Sequence, residues 1–204
     1  MSTQNMNSTN DYIRAVLDTV RYDFGDLMVA NLFWVLLCLP IITIPPAFAG
    51  LYYSTSKLAR GQSSSRQTFI EGFKKYFRTS YYWFFSNVIV VGLLFNIDLS
   101  TQNTQLAWLQ FFSGVSWMIL AVWVLLQIYT FPLLIQQDVP RIALALRNSA
   151  VLWFKNVRFS LLLSVIIILL VLASIYLYPF WFVITAGLIA YLANLGVVYL
   201  LLKE

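Results

Sequence analysis

The stretch FKNVRFSLLLSVIIILLVL, which begins at Phe154, decides the fold class of this chain. Its two positive charges, Lys155 and Arg158, come first, and an apolar run without charge follows. The run Phe159–Tyr178 has the length of about 20 residues that a helix needs to cross a bilayer. Cations at the edge of such a run, and none inside it, are typical of a transmembrane helix.

The same arrangement recurs along the whole chain. Of its 204 residues 60% are hydrophobic and only 10% are charged, and all 13 Lys and Arg residues lie between apolar runs. The pattern predicts an all-α, polytopic membrane helical bundle with five long apolar helices, formed by residues 1–204 as a single transmembrane domain. Besides Phe159–Tyr178, the runs are Leu27–Ile44, Val88–Phe95 with its aromatic lead-in from Tyr81, Leu106–Ile135 and Pro179–Leu202.

The prolines of the first run leave two topologies open. If every run crosses once, the two cations of residues 1–26 lie outside and the other eleven lie inside. Pro40 and the pair Pro45-Pro46 interrupt the first run, however, because proline lacks the N–H that a helix interior needs. A chain that turns back there makes residues 27–60 a Pro-broken helical hairpin and residues 46–60 a short return or re-entrant helix. We favour this topology, because it places all thirteen cations on one side.

The favoured topology has further consequences. The segments without cations, residues 97–105 and the turn Leu177–Pro179, are expected on the outer side. Both termini then lie in the cytoplasm, as expected for a multi-pass protein of the bacterial inner membrane.

Three polar segments have the spacing of amphipathic helices. They are the N-terminal residues 1–26 and the basic cytoplasmic segments 65–78 and 138–158, with Ser65 as a predicted N-cap. Such helices either rest at the headgroup boundary or dock onto a cytoplasmic partner. The apolar positions are Tyr12, Val16, Val20, Phe24 and Leu27; Phe69, Phe73, Tyr76 and Phe77; and Ile142, Leu146, Ala150, Trp153, Phe154 and Val157.

The segment NLFWVLLCLPIITIPPAFAGLYYSTSKL, from Asn31 to Leu58, resembles the opening of the YesL-like family of bacterial integral membrane proteins, which have no known function. Later segments of the chain resemble the same family. The resemblance implies an integral membrane protein whose relatives are encoded beside genes for carbohydrate uptake and polysaccharide degradation. It carries no catalytic or binding residues, and Pro45 replaces a glycine that is frequent in the family. The signature positions are Asn31, Trp34, Pro40, Thr43, Pro45 and Pro46.

The inventory of reactive side chains predicts a protein that is not an enzyme and has no metal or cofactor. The chain has no His, its one thiol (Cys38) lies in an apolar run, and its acids lie at interfaces or in loops. Metal sites with His or Cys ligands and His-based nucleophile arrangements are therefore excluded. The net charge of +5 is explained by cytoplasmic loops, so nucleic acid is not expected as a partner.

Neutral polar and small residues inside the runs are the remaining candidates. Asn87, Gln127 and Asn194 are interpreted either as hydrogen-bonding links between helices or as a polar path for a neutral solute. Small residues form an edge on the last helix that suits close packing, within the protein or against a partner helix. These residues are Ala186, Ala190, Ala193 and Gly196.

Three functional hypotheses follow. The first is a non-enzymatic accessory or regulatory subunit of an ABC-type carbohydrate importer, in contact with the bilayer and with permease or ATPase subunits. The second is a small facilitator or channel for a neutral solute. The third is a membrane scaffold for envelope enzymes, and a homo-oligomer is compatible with each.

Overall fold

A computed structural model describes residues 8–101, 106–176 and 182–203. Within these ranges the chain is helical and contains no strand. A single turn of 3₁₀ helix, Ile41–Thr43, lies between the second and third α-helices. The helices are α1 (Thr9–Tyr22), α2 (Phe24–Cys38), α3 (Ile44–Leu58), α4 (Arg66–Lys75), α5 (Phe77–Thr101), α6 (Ala107–Ile135), α7 (Ile142–Lys155), α8 (Val157–Tyr176) and α9 (Phe182–Leu202).

Four helices, α5, α6, α8 and α9, are long and apolar enough to cross a membrane, against the five expected from the sequence. The predicted helix that is not among these four is the one from the run Leu27–Ile44. Its residues form most of α2, which has 15 residues and ends at Cys38, for a length of about 22 Å. Because Pro40 follows, the helix stops there.

The four long helices form two antiparallel hairpins. Hydrogen bonds join the start of α5 to the end of α6 and the end of α5 to the start of α6, and the end of α8 is joined to the start of α9. Two uncharged loops are expected between these helices. In the loop expected over residues 97–105, residues 102–105 lie outside the described residues. The turn Leu177–Pro179 lies wholly outside them. The bonded pairs are Trp83 with Gln127, Ser113 with Asp98, and Ser174 with Thr185.

The centre of the bundle is α3, which contacts α2, α4, α5, α6 and α9. Eleven of its 15 residues are buried. The helix starts at Ile44, so Pro45 and Pro46 lie in its first turn, where no N–H is needed. The helix expected over residues 46–60 overlaps α3, which extends over Ile44–Leu58 and is an element of the core. Its small residues, such as Ala47, Ala49 and Gly50, let its neighbours approach closely.

One end of the bundle collects the basic segments, and we call it the basic end. The N–H of Ser64 donates to the carboxylate of Asp26, which ties the loop after α3 to the start of α2 at 3.0 Å. The hydroxyl of Tyr76 donates to the carbonyl of Ile135 at 2.9 Å, which ties the start of α5 to the end of α6. Lys57, Arg60 and Lys75 line one cavity at this end, and Lys155, Arg158 and Lys203 line another. The chain turns back after α2, because α3 packs against it.

The amphipathic segment 65–78 is more deeply packed than the sequence indicates. Ser65 caps α4 as predicted, accepting from the N–H of Thr68. Phe69 and Gly72 are buried against α3, so α4 is part of the core and does not merely rest at an interface. The helix ends at Lys75, and α5 begins two residues later.

The segments 138–158 and 1–26 each contain one complete helix and the first residues of the next. In 138–158 the helix is α7, which starts only at Ile142, and its most buried residues are Ala145, Ser149 and Leu152. This ridge lies beside the predicted stripe, whose members are half-buried or exposed. In 1–26 the helix α1 packs Tyr12 and Thr19 against α9; residues 1–7 lie outside the described part.

Candidate functional site

The signature residues build the hairpin formed by α2 and α3. Asn31 is fully buried, and its Oδ1 accepts from the N–H of Gly187 on α9 at 2.9 Å. Trp34 is also buried and packs edge-on against Phe48, with 5.3 Å between ring centroids. The hydroxyl of Thr43 donates to the carbonyl of Pro40 at 2.7 Å. The signature is therefore explained by packing and turn formation, without a ligand.

The turn of this hairpin has an apolar and exposed surface. Leu39, Ile41 and Ile42 are 75%, 83% and 73% exposed, and the turn has no charged side chain. Its carbonyls are partly satisfied from within the protein, because Thr43 also bonds to Leu37 and the hydroxyl of Tyr81 donates to Ile42. A turn with these properties is suited to an apolar surrounding, where unpaired backbone groups are costly.

Asn194 links α9 to α3. Its side chain is fully buried, and its Nδ2 lies 3.0 Å from the carbonyl of Tyr52, from the hydroxyl of Thr55 and from the carbonyl of Ala190. Its Oδ1 is buried and has no hydrogen-bond partner among the described residues. The amide thus acts mainly as a link between helices.

Asn87 and Gln127 lie in a separate group, between α5 and α6. The indole N–H of Trp123 donates to Oδ1 of Asn87 at 3.0 Å, and the indole N–H of Trp83 donates to Oε1 of Gln127 at 2.9 Å. Each amide therefore pairs with a tryptophan on the opposite helix. The structure brings these two residues together, but their hydrogen bonds do not extend to Asn194.

A chain of aromatic side chains fills the space between α2, α3, α5 and α6. Successive ring centroids are 5.3, 6.3, 4.9 and 5.0 Å apart. Rings at these distances are in contact, so aromatic packing links the four helices at this level. The chain runs through Trp34, Phe48, Trp83, Phe131 and Tyr52.

Asp98, which is expected from the sequence at an interface or in a loop, is a buried residue. It lies within α5, and its Oδ1 accepts from the hydroxyl of Ser113 at 2.5 Å and from the indole of Trp117 at 3.0 Å. The carboxylate thus joins α5 to α6 near the end opposite the basic end. Asp98 follows Arg78 at a distance of about 30 Å along the same helix. This spacing indicates that Asp98 lies near the membrane boundary opposite to Arg78.

The small-residue edge of α9 is used inside the protein. Ala190 and Ala193 are buried, and Ala186 packs against the cluster formed by α2 and α3. A Cβ on Gly196 would lie 3.0 Å from Cδ2 of Leu163 on α8. These residues thus take part in packing within the chain.

The basic end is the part of the surface that carries exposed charge. Arg66, Lys74 and Arg147 are exposed there. A cavity of about 570 Å³ lies between the start of α1, the α7–α8 junction and the end of α9, and its wall includes Lys155, Arg158 and Lys203. The candidate functional surface is therefore this end of the bundle.

Comparison with known proteins gives one match. A family model described as protein of unknown function, DUF624, matches residues 27–99, which include most of α2, all of α3 and α4, and most of α5. No curated protein matches the chain, and no solved structure does. The hairpin, the helix packed against it and the first long helix are thus the part of this chain that is similar to the DUF624 family.

Proposed function

We propose that the protein is a non-enzymatic accessory or regulatory subunit in the bacterial inner membrane, associated with an ABC-type carbohydrate importer. The observation that carries the proposal is the contrast between a packed interior and a charged end. Several interior polar groups bond between helices, and aromatic rings pack between them. Exposed cations are gathered at one end, which is the surface available to a partner.

The proposed orientation places the basic end in the cytoplasm, together with both termini. This assignment rests on the preference of Lys and Arg for the cytoplasmic side of a membrane. The α2–α3 hairpin would then be re-entrant, since each helix is about 22 Å long and a bilayer core is about 30 Å thick. Its apolar turn would lie among lipid tails.

Site-specific cross-linking in native membranes tests the proposal. A photo-reactive phenylalanine analogue replaces Lys74 or Arg147 at the basic end, or Val88 on the exposed side of α5. We expect an ATPase contact at Lys74 or Arg147 and a permease contact at Val88. The proposal is wrong if none of the three positions captures an importer subunit. Capture of an envelope enzyme would favour the scaffold hypothesis, and capture of a second copy would show a homo-oligomer.

A small facilitator for a neutral solute is the second candidate. It is favoured by two buried polar atoms without a partner among the described residues, Nε2 of Gln127 and Oδ1 of Asn194. Flux of neutral sugars into liposomes with the purified protein would support it, provided that Gln127→Leu and Asn194→Leu reduce the flux. No flux across a panel of sugars would eliminate it.

A further inference from the structure

A second cavity, of about 260 Å³, lies at the basic end where three helices finish. Its wall is formed by the ends of α3, α4 and α6, together with the first residues after each helix. The lining is mainly polar and includes the cations Lys57, Arg60 and Lys75. The sequence separates these cations by up to 18 positions, so only the fold brings them to one cavity.

None of the three cations forms an ion pair among the described residues, although two carboxylates lie nearby. Asp138 is in the wall of the cavity, and Glu71 accepts from the hydroxyl of Tyr53 at 3.3 Å. The ammonium groups of Lys57 and Lys75 lie 5.5 and 5.8 Å from the centre of the same ring, that of Tyr53. Like charges that line one cavity repel each other, and a bound anion would relieve that repulsion.

The helix ends offset only part of this charge. Each helix C-terminus is equivalent to about half a negative charge, so three of them supply about one and a half. Asp138 in the wall supplies one further negative charge, so the helix ends and this carboxylate together offset most of the charge of the three cations. The donor groups of the cations remain available to an anion in the cavity.

Gln137 adds a hydrogen-bond donor to the same wall. Its Oε1 accepts from the N–H of Arg141 at 2.7 Å, which fixes the orientation of the amide. Its Nε2 is buried and has no partner among the described residues. A buried donor without an acceptor is costly, and Gln137 lines the cavity. An acceptor bound in the cavity is the partner that we propose for this donor.

We infer that this cavity binds a phosphate group, carried either by a small phosphorylated compound or by a phospholipid headgroup. A phosphate group has several oxygens for the donors of Lys57, Arg60, Lys75 and Gln137, whereas a single carboxylate has two. The cavity is larger than one carboxylate, and its polar lining does not suit an acyl chain. The inference does not depend on the proposed function, because it concerns the isolated chain.

Calorimetric titration of the full chain in an uncharged maltoside detergent tests the inference. The probes are glycerol 1-phosphate and dihexanoyl phosphatidylglycerol, with glycerol as the uncharged reference. Binding of the first identifies a free phosphate ester as the source, and binding of the second alone identifies a headgroup. Either result supports the site. Heats no larger than those of glycerol for both probes would overturn it.

Two double variants distinguish binding in this cavity from a general effect of positive charge. In Lys57→Gln/Lys75→Gln we expect affinity to fall by at least about tenfold, because charged hydrogen bonds are lost. The matched control Arg66→Gln/Lys74→Gln removes the same charge from exposed positions on α4 outside the cavity and should change affinity by less than about twofold. Equal losses in both would overturn the inference.

The isosteric change Gln137→Glu provides an independent check. It keeps the acceptor for Arg141 and replaces the donor in the cavity by a carboxylate. We expect unchanged thermal unfolding and a loss of affinity of at least about tenfold. Wild-type affinity in this variant would exclude Gln137 from the site and contradict the inference.

Discussion

The indole N–H of Trp83 on α5 donates to Oε1 of Gln127 on α6 at 2.9 Å. Four residues further along α5, the roles are reversed, because Asn87 accepts from the indole of Trp123 at 3.0 Å. Asn87 also donates to the carbonyl of Trp83 at 2.8 Å, which holds its amide in place. The two pairs lie one helical turn apart on both helices, so together they fix the register of the α5–α6 hairpin.

Gln127→Leu should lower the free energy of unfolding by about 1 kcal/mol, since it leaves the indole of Trp83 without an acceptor. The double variant Trp83→Phe/Gln127→Leu should lose less than the sum of the two single variants. Unfolding in mixed micelles with increasing sodium dodecyl sulfate measures both. Strict additivity would mean that the two side chains are not coupled.

Asn96→Leu is the matched control for this pair. Asn96 is an exposed amide on α5, and its Nδ2 bonds at 2.8 Å to the carbonyl of Gly92 in the same helix. Its removal breaks no link between helices. We expect a change in unfolding free energy below about 0.5 kcal/mol.

At Asp98, we expect loss of the charge and loss of the hydrogen-bond acceptor to lower stability by different amounts. Asp98→Asn keeps an oxygen for Ser113 and Trp117, whereas Asp98→Leu leaves the indole of Trp117 without this acceptor. We expect Asp98→Leu to cost about 2 kcal/mol and Asp98→Asn clearly less, in the same unfolding assay. If Asn were as damaging as Leu, the negative charge itself would be the stabilising element.

Gly72 lies at a very close contact between α4 and α3. A Cβ at this position would lie 2.4 Å from Cβ of Tyr53, so Gly72→Ala must separate the two helices. We expect a loss of about 2–3 kcal/mol, typical of overpacking, or failure to accumulate in the membrane. In Gly114→Ala, where a Cβ meets nothing within 4 Å, stability should stay equal or rise by up to about 1 kcal/mol.

The sequence predicts the four long helices, because each contains a long apolar run with cations near one end. The boundaries are less well predicted, since α5 extends from Phe77 to Thr101, beyond the predicted run from Tyr81 to Phe95. The predicted run Leu106–Ile135 corresponds to α6, and the cations Arg158 and Lys203 flank the hairpin of α8 and α9. The cap at Ser65 was also predictable, since a short polar side chain before an amphipathic segment is a local signal. Each of these features depends on neighbouring residues alone.

The central position of α3 depends on contacts that no local pattern contains. Its composition is not strongly apolar, because it contains small and polar residues such as Gly50 and Ser54. These same side chains allow other helices to approach closely. Likewise, α9 is apolar on all sides, so its sequence does not say which face is buried. The partners of Asp98 follow only once the register of α5 and α6 is known.

Tyr12 predicts how stability changes at high pH. Its side chain is buried between α1 and α9, and its hydroxyl donates to the carbonyl of Leu192 at 3.1 Å. Burial raises the pKa of Tyr12 well above 10, because the phenolate loses its hydration, and nearby tyrosines add to the effect. The unfolded chain ionises this group near pH 10, whereas the folded protein retains the proton.

Because the unfolded chain loses this proton at a lower pH than the folded protein, a high pH favours unfolding. The contribution of Tyr12 is intact below pH 10 and is lost as the pH rises further, by up to about 1.4 kcal/mol per pH unit. Tyr12→Phe should therefore be about 1 kcal/mol less stable than wild type at pH 8, but its stability should fall less between pH 9.5 and pH 11. Unfolding in detergent at a series of pH values measures both slopes.

Tyr22→Phe is the control on the same helix, since Tyr22 is 72% exposed. It should keep the wild-type stability at pH 8 and the wild-type slope above it. Parallel pH profiles for wild type and Tyr12→Phe would mean that the phenol of Tyr12 ionises alike in the folded and unfolded chains. In that case α1 would not be docked on α9 through a buried hydroxyl, and the N-terminal helix would be held by its apolar contacts alone.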